Sequence, residues 1–262
     1  MNLLISNTQR VLHLVLNRPG KRNALDVGLC REIVAIISEA QQRDDIGCIL
    51  IGAAGAVFCS GMDLDEASKI GEAELSAVHE ALFTLGSQSL KPIVMVVHGP
   101  ALGGGLGLVA QGHIVFAGDG AIFGLPEIRV GLWPFLVYRS VSAALGQRRT
   151  LELSLTGQSF TAQQACNWGL VHRVCPEPEL QDLAVLMARN LAKASPLALS
   201  SGMQYLRDSV GKPWNESGEI AKAFRSKLME SADFKEGRLA FKQKRQPRWP
   251  SMPAGFYDKA EN

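Results

Sequence analysis

IVMVVHGPALGGGLGLVAQGHIVFAGDGAIFGLPEIRVG, residues 93 to 131, decides the reading of this chain. An apolar, strand-like run feeds the cluster Gly103-Gly104-Gly105, and the turn Phe123-Gly124-Leu125-Pro126-Glu127 follows further along. Glycine carries no Cβ, so the backbone N–H groups of such a cluster can approach a ligand closely. A helix starting there leaves its first N–H groups without partners, at a place that favours negative charge. The turn then offers one carboxylate, Glu127. Donors for a developing oxyanion beside a lone carboxylate point to proton abstraction next to a carbonyl.

Strands alternate with helices on both sides of this segment. Residues 11–17 and 48–53 are short apolar runs of buried-strand type, and 93–99 and 113–118 flank a glycine-rich helix. Leu29, Ile33, Ile36 and Ile37 give residues 26–43 helical spacing, with Asp26 as the cap. Residues 53–66 are a turn-rich connection in which Asp63 caps a short helix. Residues 72–90 are helical with few strong anchors, so this is the stretch expected to vary most. Beyond Gly131 the pattern turns helical over 134–145, 147–155 and 161–168, then a strand VHRV (171–174) and a helix over 178–194. Ser195-Pro196 breaks the chain, and 197–245 reads as two or three further helices. An α/β core over 1–195 with a helical region over 196–262 is the expected organisation.

Composition limits the alternatives. With 262 residues, 47% hydrophobic and 20% charged, the chain is long enough for a large core and ordinary for a globular protein. A net charge of +2 gives no argument for nucleic acid, and the basic group Lys242, Lys244, Arg245 and Arg248 is small. The five cysteines, 30, 48, 59, 166 and 175, are odd in number and form no CxxC pair. That pattern fits reduced thiols in a cytoplasmic protein, with neither a disulfide framework nor a metal site. MNLLISNTQR lacks the basic and apolar regions of a secretory signal. Residues 93–112 match a membrane span in length, but His98, Pro100, Gln111 and the glycines read as buried strand, loop and helix.

The motifs taken together resemble the crotonase superfamily, the enoyl-CoA hydratase/isomerase group. They are LNRPGKRNALD (16–26), FCSGMDLDE (58–66), KPIVMVVHGPALGGGLGLVAQGHIVFAG (91–118), FGLPEIRVGL (123–132), LELSLTGQSFTAQQACNWGLVHRVCP (151–176) and DFKEGRLAFKQKRQPRW (233–249). The resemblance implies a spiral of ββα units, related to the ClpP-like fold, with a C-terminal helical region that forms trimers or pairs of trimers. It implies an acyl-CoA substrate and no separate cofactor, CoA being part of the thioester. The backbone N–H groups of Met62 and Gly104 are then the expected donors to the thioester oxygen, and Glu127 the expected acid–base residue. Lys21, Arg22 and Leu25 match the stretch that holds the CoA nucleotide. Ser60, Gly61, Asp63 and Leu64, with Gly103 and Gly105, are expected to bind the substrate around the donors, Asp63 and Asp65 capping and fixing the loop. Phe135 belongs to the acyl pocket, and Phe241 and Lys244 are expected to reach a neighbouring subunit's CoA.

Two departures from the hydratase pattern shape the expected activity. Hydratases resemble GGGxEL after the glycine run, whereas here Gly107 stands where that first glutamate would be. Adding water benefits from one group that deprotonates water and another that protonates carbon. Shifting a double bond needs only one base that carries a proton between two carbons. The single carboxylate therefore suits a Δ3,Δ2-enoyl-CoA isomerase better than a hydratase. Thioester hydrolase and non-catalytic acyl-CoA binding are the further alternatives. The second departure is Leu132-Trp133-Pro134-Phe135-Leu136 in place of PGxGG, expected to narrow the pocket and exclude water. Phe135 also replaces the aspartate that dienoyl-CoA isomerases and aryl-CoA dehalogenases would want there. His79 and Glu80 are candidates for a second acid or base, with a solvated helix face as the default for both. Cys59-Ser60 lacks a placed His or Asp partner for nucleophilic chemistry.

Overall fold

A computed structural model describes residues 1–67 and 69–257, so residues 258–262 of the expected C-terminal region lie outside the described residues. In chain order the elements begin with β1 (Leu3–Thr8), β2 (Val11–Leu16), α1 (Val27–Ala40), β3 (Cys48–Ala53), α2 (Leu64–Ala67), α3 (Glu72–Leu82) and α4 (Leu85–Gln88). The central part contains β4 (Ile93–Val97), β5 (Ala101–Leu102), α5 (Gly104–Val109), β6 (Ile114–Gly118) and β7 (Ile122–Gly124). It continues through α6 (Phe135–Leu145), α7 (Gln147–Thr156), β8 (Ser159–Thr161), α8 (Ala162–Asn167), β9 (Arg173–Cys175) and α9 (Glu177–Ala192). Helices α10 (Pro196–Ser209), α11 (Trp214–Glu230) and α12 (Ala232–Gln243) close the described chain.

The strands form a six-stranded sheet in the order β1-β2-β3-β4-β6-β9 and a smaller sheet β5-β7-β8. In the larger sheet β1 pairs antiparallel with β2, and the remaining pairs are parallel. Parallel strands bury both faces, which is why β4 is the unbroken apolar run IVMVV. Its alternate residues divide between two cores. Ile93, Met95 and Val97 face the main core, whereas Val94 and Val96 pack against Leu180, Ala184 and Ala188 of α9. The alanines every four residues keep one stripe of α9 thin enough to lie on the sheet.

The expected alternation of strand and helix is present, with local differences. The strand β1 was not foreseen, because all but its first residue are exposed and it lacks a period-two pattern. The expected helix over 72–90 divides into α3 and α4, and β9 starts two residues later than VHRV predicts. Ser195 caps α10, its hydroxyl accepting from Ala198 N at 3.0 Å. Within the chain α10 and α11 bury no residue completely, and they leave Trp214 94% exposed. All five cysteines are free, four of them buried. No described helix is long and apolar enough to cross a membrane.

Candidate active site

The carboxyl ends of β3 and β4 lead into two loops that the sheet holds side by side, 54–63 and 98–103. A third segment, 18–26, braces the first. Arg18 is the tie: its Nη2 lies 2.9 Å from Asp26 and 3.2 Å from Asp63. Asp26 in turn caps α1 by accepting from Leu29 N at 2.6 Å. Asn23, with a left-handed backbone, donates to the carbonyls of Ala54 at 2.8 Å and Val57 at 2.7 Å. Asp63 is almost fully buried, and its carboxyl is held below the ordinary value against burial by the Arg18 guanidinium and the Glu66 amide. Asp63 thus braces the loop and lies outside the pocket lining, which corrects its expected place among the substrate-binding residues.

This bracing aims the amide of Met62. Leu25 N donates to Gly61 O at 2.8 Å and Asp63 N donates to Leu25 O at 3.0 Å. Residues 61 and 63 supply that ladder, so the Met62 N–H turns to the other side. Gly61 has φ +95°, and a Cβ there would lie 2.9 Å from Leu102 O and 3.2 Å from Gly104 N. Only glycine lets the two loops come this close. Gly104 is the first residue of α5, so its N–H has no intrahelical acceptor. Neither the Met62 nor the Gly104 amide has a hydrogen-bond partner among the described residues. Gly105 sits behind them against the Cys59 carbonyl. The pair therefore stands as adjacent donors with no acceptor inside the chain.

Glu127 lies in the 3₁₀ turn Pro126–Val130, pre-shaped by Pro126 and closed by Gly131, which has φ +75°. Its carboxylate reaches over the glycine run: a Cβ on Gly103 would lie 2.9 Å from Glu127 Oε1. Oε2 is buried with no hydrogen-bond partner. Burial penalises the charged form and pushes this carboxyl up to about 7. A carboxyl poised near neutrality, with one oxygen enclosed and unpartnered, is suited to carry a proton in either direction.

Both donors and the acid open on one pocket of about 760 Å³, lined also by Leu25, Ser60, Gly61, Leu64 and Gly103. Phe135 borders it too, but its side chain is 72% exposed. Leu132, Trp133, Pro134 and Leu136 line the pocket with it, Pro134 buried and Trp133 and Leu136 half-buried, so the segment forms an apolar wall whose edge at Phe135 is exposed within one chain. Lys21 and Arg22 are exposed outside the lining, Lys21 Nζ lying 3.2 Å from Asp65. Phe241 borders a separate apolar groove with Trp249, and Lys244 ends α12 in left-handed conformation. The structure does not bring those two residues to the pocket of their own chain.

Two positions change the chemistry of the pocket. A Cβ on Gly107 would meet the Phe83 ring at 2.9 Å and Val137 at 3.1 Å, so any side chain there requires these two to give way. His79 corrects the sequence reading of a solvated face, since it is only 8% exposed and lines the pocket. The signal was present in the sequence: Leu75, Val78, His79 and Leu82 share one helical face at i, i+3, i+4 and i+7. Glu80 points away and is held by Arg139 at 2.8 Å. Cys59 is no nucleophile, its thiol being pushed up to about 12 by burial.

The enoyl-CoA hydratase/isomerase family profile matches residues 6–252. The 2,3-dehydroadipyl-CoA hydratase of Escherichia coli (strain K12) is 36% identical over 251 residues, covering 94% of this chain and 97% of that protein. The mevalonyl-coenzyme A hydratase of Aspergillus fumigatus is 33% identical over 253 residues, covering 92% of each. Among solved structures, human enoyl Coenzyme A hydratase domain-containing protein 3 superposes with a TM-score of 0.90 at 28% identity, covering 95% of this chain and 100% of that one. The enoyl-CoA hydratase of Mycobacterium smegmatis superposes with a TM-score of 0.91 at 25% identity, covering 95% and 99%. With the α/β architecture, the paired amides and the profile in agreement, the chain belongs to the enoyl-CoA hydratase/isomerase family of the crotonase superfamily.

Proposed function

We propose that the protein moves a carbon–carbon double bond within an enoyl-CoA thioester, from the Δ3 to the Δ2 position, with Glu127 as the acid–base group. The thioester oxygen accepts from the Met62 and Gly104 amides, and Glu127 takes a proton from C2. The electron pair spreads through a dienolate whose oxygen charge those amides stabilise. The protonated Glu127 then returns the proton to C4, leaving the double bond between C2 and C3. Losing one such donor typically lowers the rate on the order of 10²–10³.

The observation that carries this reading is Gly107, which supplies no second carboxylate and whose Cβ position is crowded by Phe83 and Val137. A hydratase reading is favoured by the names of the relatives, and it would have to draw its second acid–base group from His79. Trp214 and Phe241, both largely exposed in a single chain, support assembly into trimers or pairs of trimers. On that arrangement Phe241 and Lys244 contribute to a neighbour's CoA site.

Incubation with 3-enoyl- and 2-enoyl-CoA panels in heavy water, followed by mass spectrometry, tests the reading. Migration of the double bond with exchange at the α-carbon is expected. Net addition of water would replace it with the hydratase, and release of free CoA with a hydrolase. Binding without turnover across the panel would leave an acyl-CoA-binding protein.

A further inference from the structure

The polar groups of α3 that face the pocket are Glu72, Ser76 and His79. Ser76 donates its hydroxyl to Glu72 Oε1, so those two satisfy each other. His79 is different. Its ring is more than nine-tenths buried, packs 5.7 Å from the Phe83 ring, and leaves Nε2 enclosed with no hydrogen-bond partner. Buried side-chain nitrogens normally have a partner, and one left alone in the wall of a pocket calls for an explanation. Phe83 in turn lies against Gly104, whose Cβ would be 3.4 Å from the ring tip. His79 is thus one aromatic ring removed from the donor that holds the thioester oxygen, at the distance of acyl chain and not of reacting carbons.

The geometry points to His79 as a specificity-determining residue whose ring turns Nε2 into the pocket to hydrogen-bond an uncharged oxygen, a hydroxyl or keto group, on the acyl chain of the substrate. Neutral imidazole has one nitrogen that donates and one that accepts, so it matches either group. Burial holds its pKa below the ordinary value, which keeps it neutral when the pocket is filled. A carboxylate-tailed chain fits less well, because Glu72 and Glu127 face the same pocket and would repel it. The inference takes the acyl-CoA substrate from the proposed function but does not need the double-bond shift.

The test uses saturated acyl-CoA pairs of equal length, which bind but cannot isomerise. One member of each pair is all-hydrocarbon; the other carries a hydroxyl or a keto group from the fifth carbon outward. Calorimetry gives the ratio of their dissociation constants for the wild type, His79→Leu and His79→Gln. For at least one oxygen position, that ratio should shift by about tenfold toward the hydrocarbon in His79→Leu, the size expected for one neutral hydrogen bond. His79→Gln, which keeps an amide nitrogen near the place of Nε2, should retain most of the preference. Ratios unmoved at every position, or a weakening of both members alike, would overturn the assignment and leave His79 a packing residue. Loss of 3-enoyl-CoA turnover with the ratios unmoved would also overturn it, making His79 an acid–base group. If the ratio responds but the wild type isomerises no 3-enoyl-CoA, the proposed reaction falls and the His79 assignment stands.

Discussion

Replacing Glu127 with glutamine should separate function from stability. Burial raises this carboxyl from the ordinary 4.5 to about 7, which corresponds to about 3 kcal/mol of preference for the neutral form. Below pH 4.5 the folded and unfolded chains both hold the proton, so burial of the neutral acid carries no charge penalty. Between 4.5 and about 7 the unfolded chain releases the proton first, and wild-type stability declines. Above about 7 the full penalty is present. Glutamine stays neutral throughout, so Glu127→Gln should be about 1–2 kcal/mol less stable than the wild type near pH 4, where only its amide cost counts, and exceed it at pH 8. The amide has its own donors to desolvate, which leaves a net gain of about 1–2 kcal/mol at pH 8. Urea unfolding from pH 4 to 9 would measure it. Isomerase turnover should fall on the order of 10²–10⁴ while binding of a saturated acyl-CoA is kept. A stability difference that does not vary with pH, or a variant less stable at pH 8, would refute the buried, proton-poised carboxylate.

In the wild type, kcat/KM should rise with pH through about 7 and level off, since the base must be deprotonated; a steady-state profile checks this. Met62→Ala should keep kcat within about threefold on 3-enoyl-CoA, because its donor is backbone and losing it would lower the rate on the order of 10²–10³. Gly103→Ala combines φ +52° with a contact 2.9 Å from Glu127 Oε1, and should lower stability by about 1–3 kcal/mol together with turnover. Gly107→Glu should overpack against Phe83 and Val137 and lose about 1–3 kcal/mol in thermal unfolding. Adding Phe83→Ala should recover part of that loss, and hydration of 2-enoyl-CoA by the double variant reports whether the second carboxylate can work.

Much of this was legible in the sequence for physical reasons. The unbroken apolar run of β4 and the glycines after it announce a buried strand delivering a tight turn, and Asp26 and Ser195 sit where caps must sit. Glu127 and the amides of 62 and 104 were named through the family resemblance that the motifs carry, and the structure brings all three to one pocket. What escaped lacks a local signature. Strand β1 is an exposed edge, recognisable only once β2 is there to pair with it. The Arg18 link to Asp26 and Asp63 joins residues far apart in sequence, and no periodicity encodes it. His79 is a different case: it is a sequence candidate for a second acid or base, but its helical spacing with Leu75, Val78 and Leu82, which argues for burial, carried less weight than a solvated face.

The ring of Phe83 against the bare backbone of Gly107 also restricts the routes by which this chain could change its chemistry. An acidic residue arriving first at 107 collides with the ring, and a smaller residue arriving first at 83 opens a void beneath the substrate. Each single step is unfavourable, and only the two together restore a filled floor. Descendants of this sequence would therefore tend to keep their present reaction through drift, since selection meets a valley between the two chemistries and not a slope.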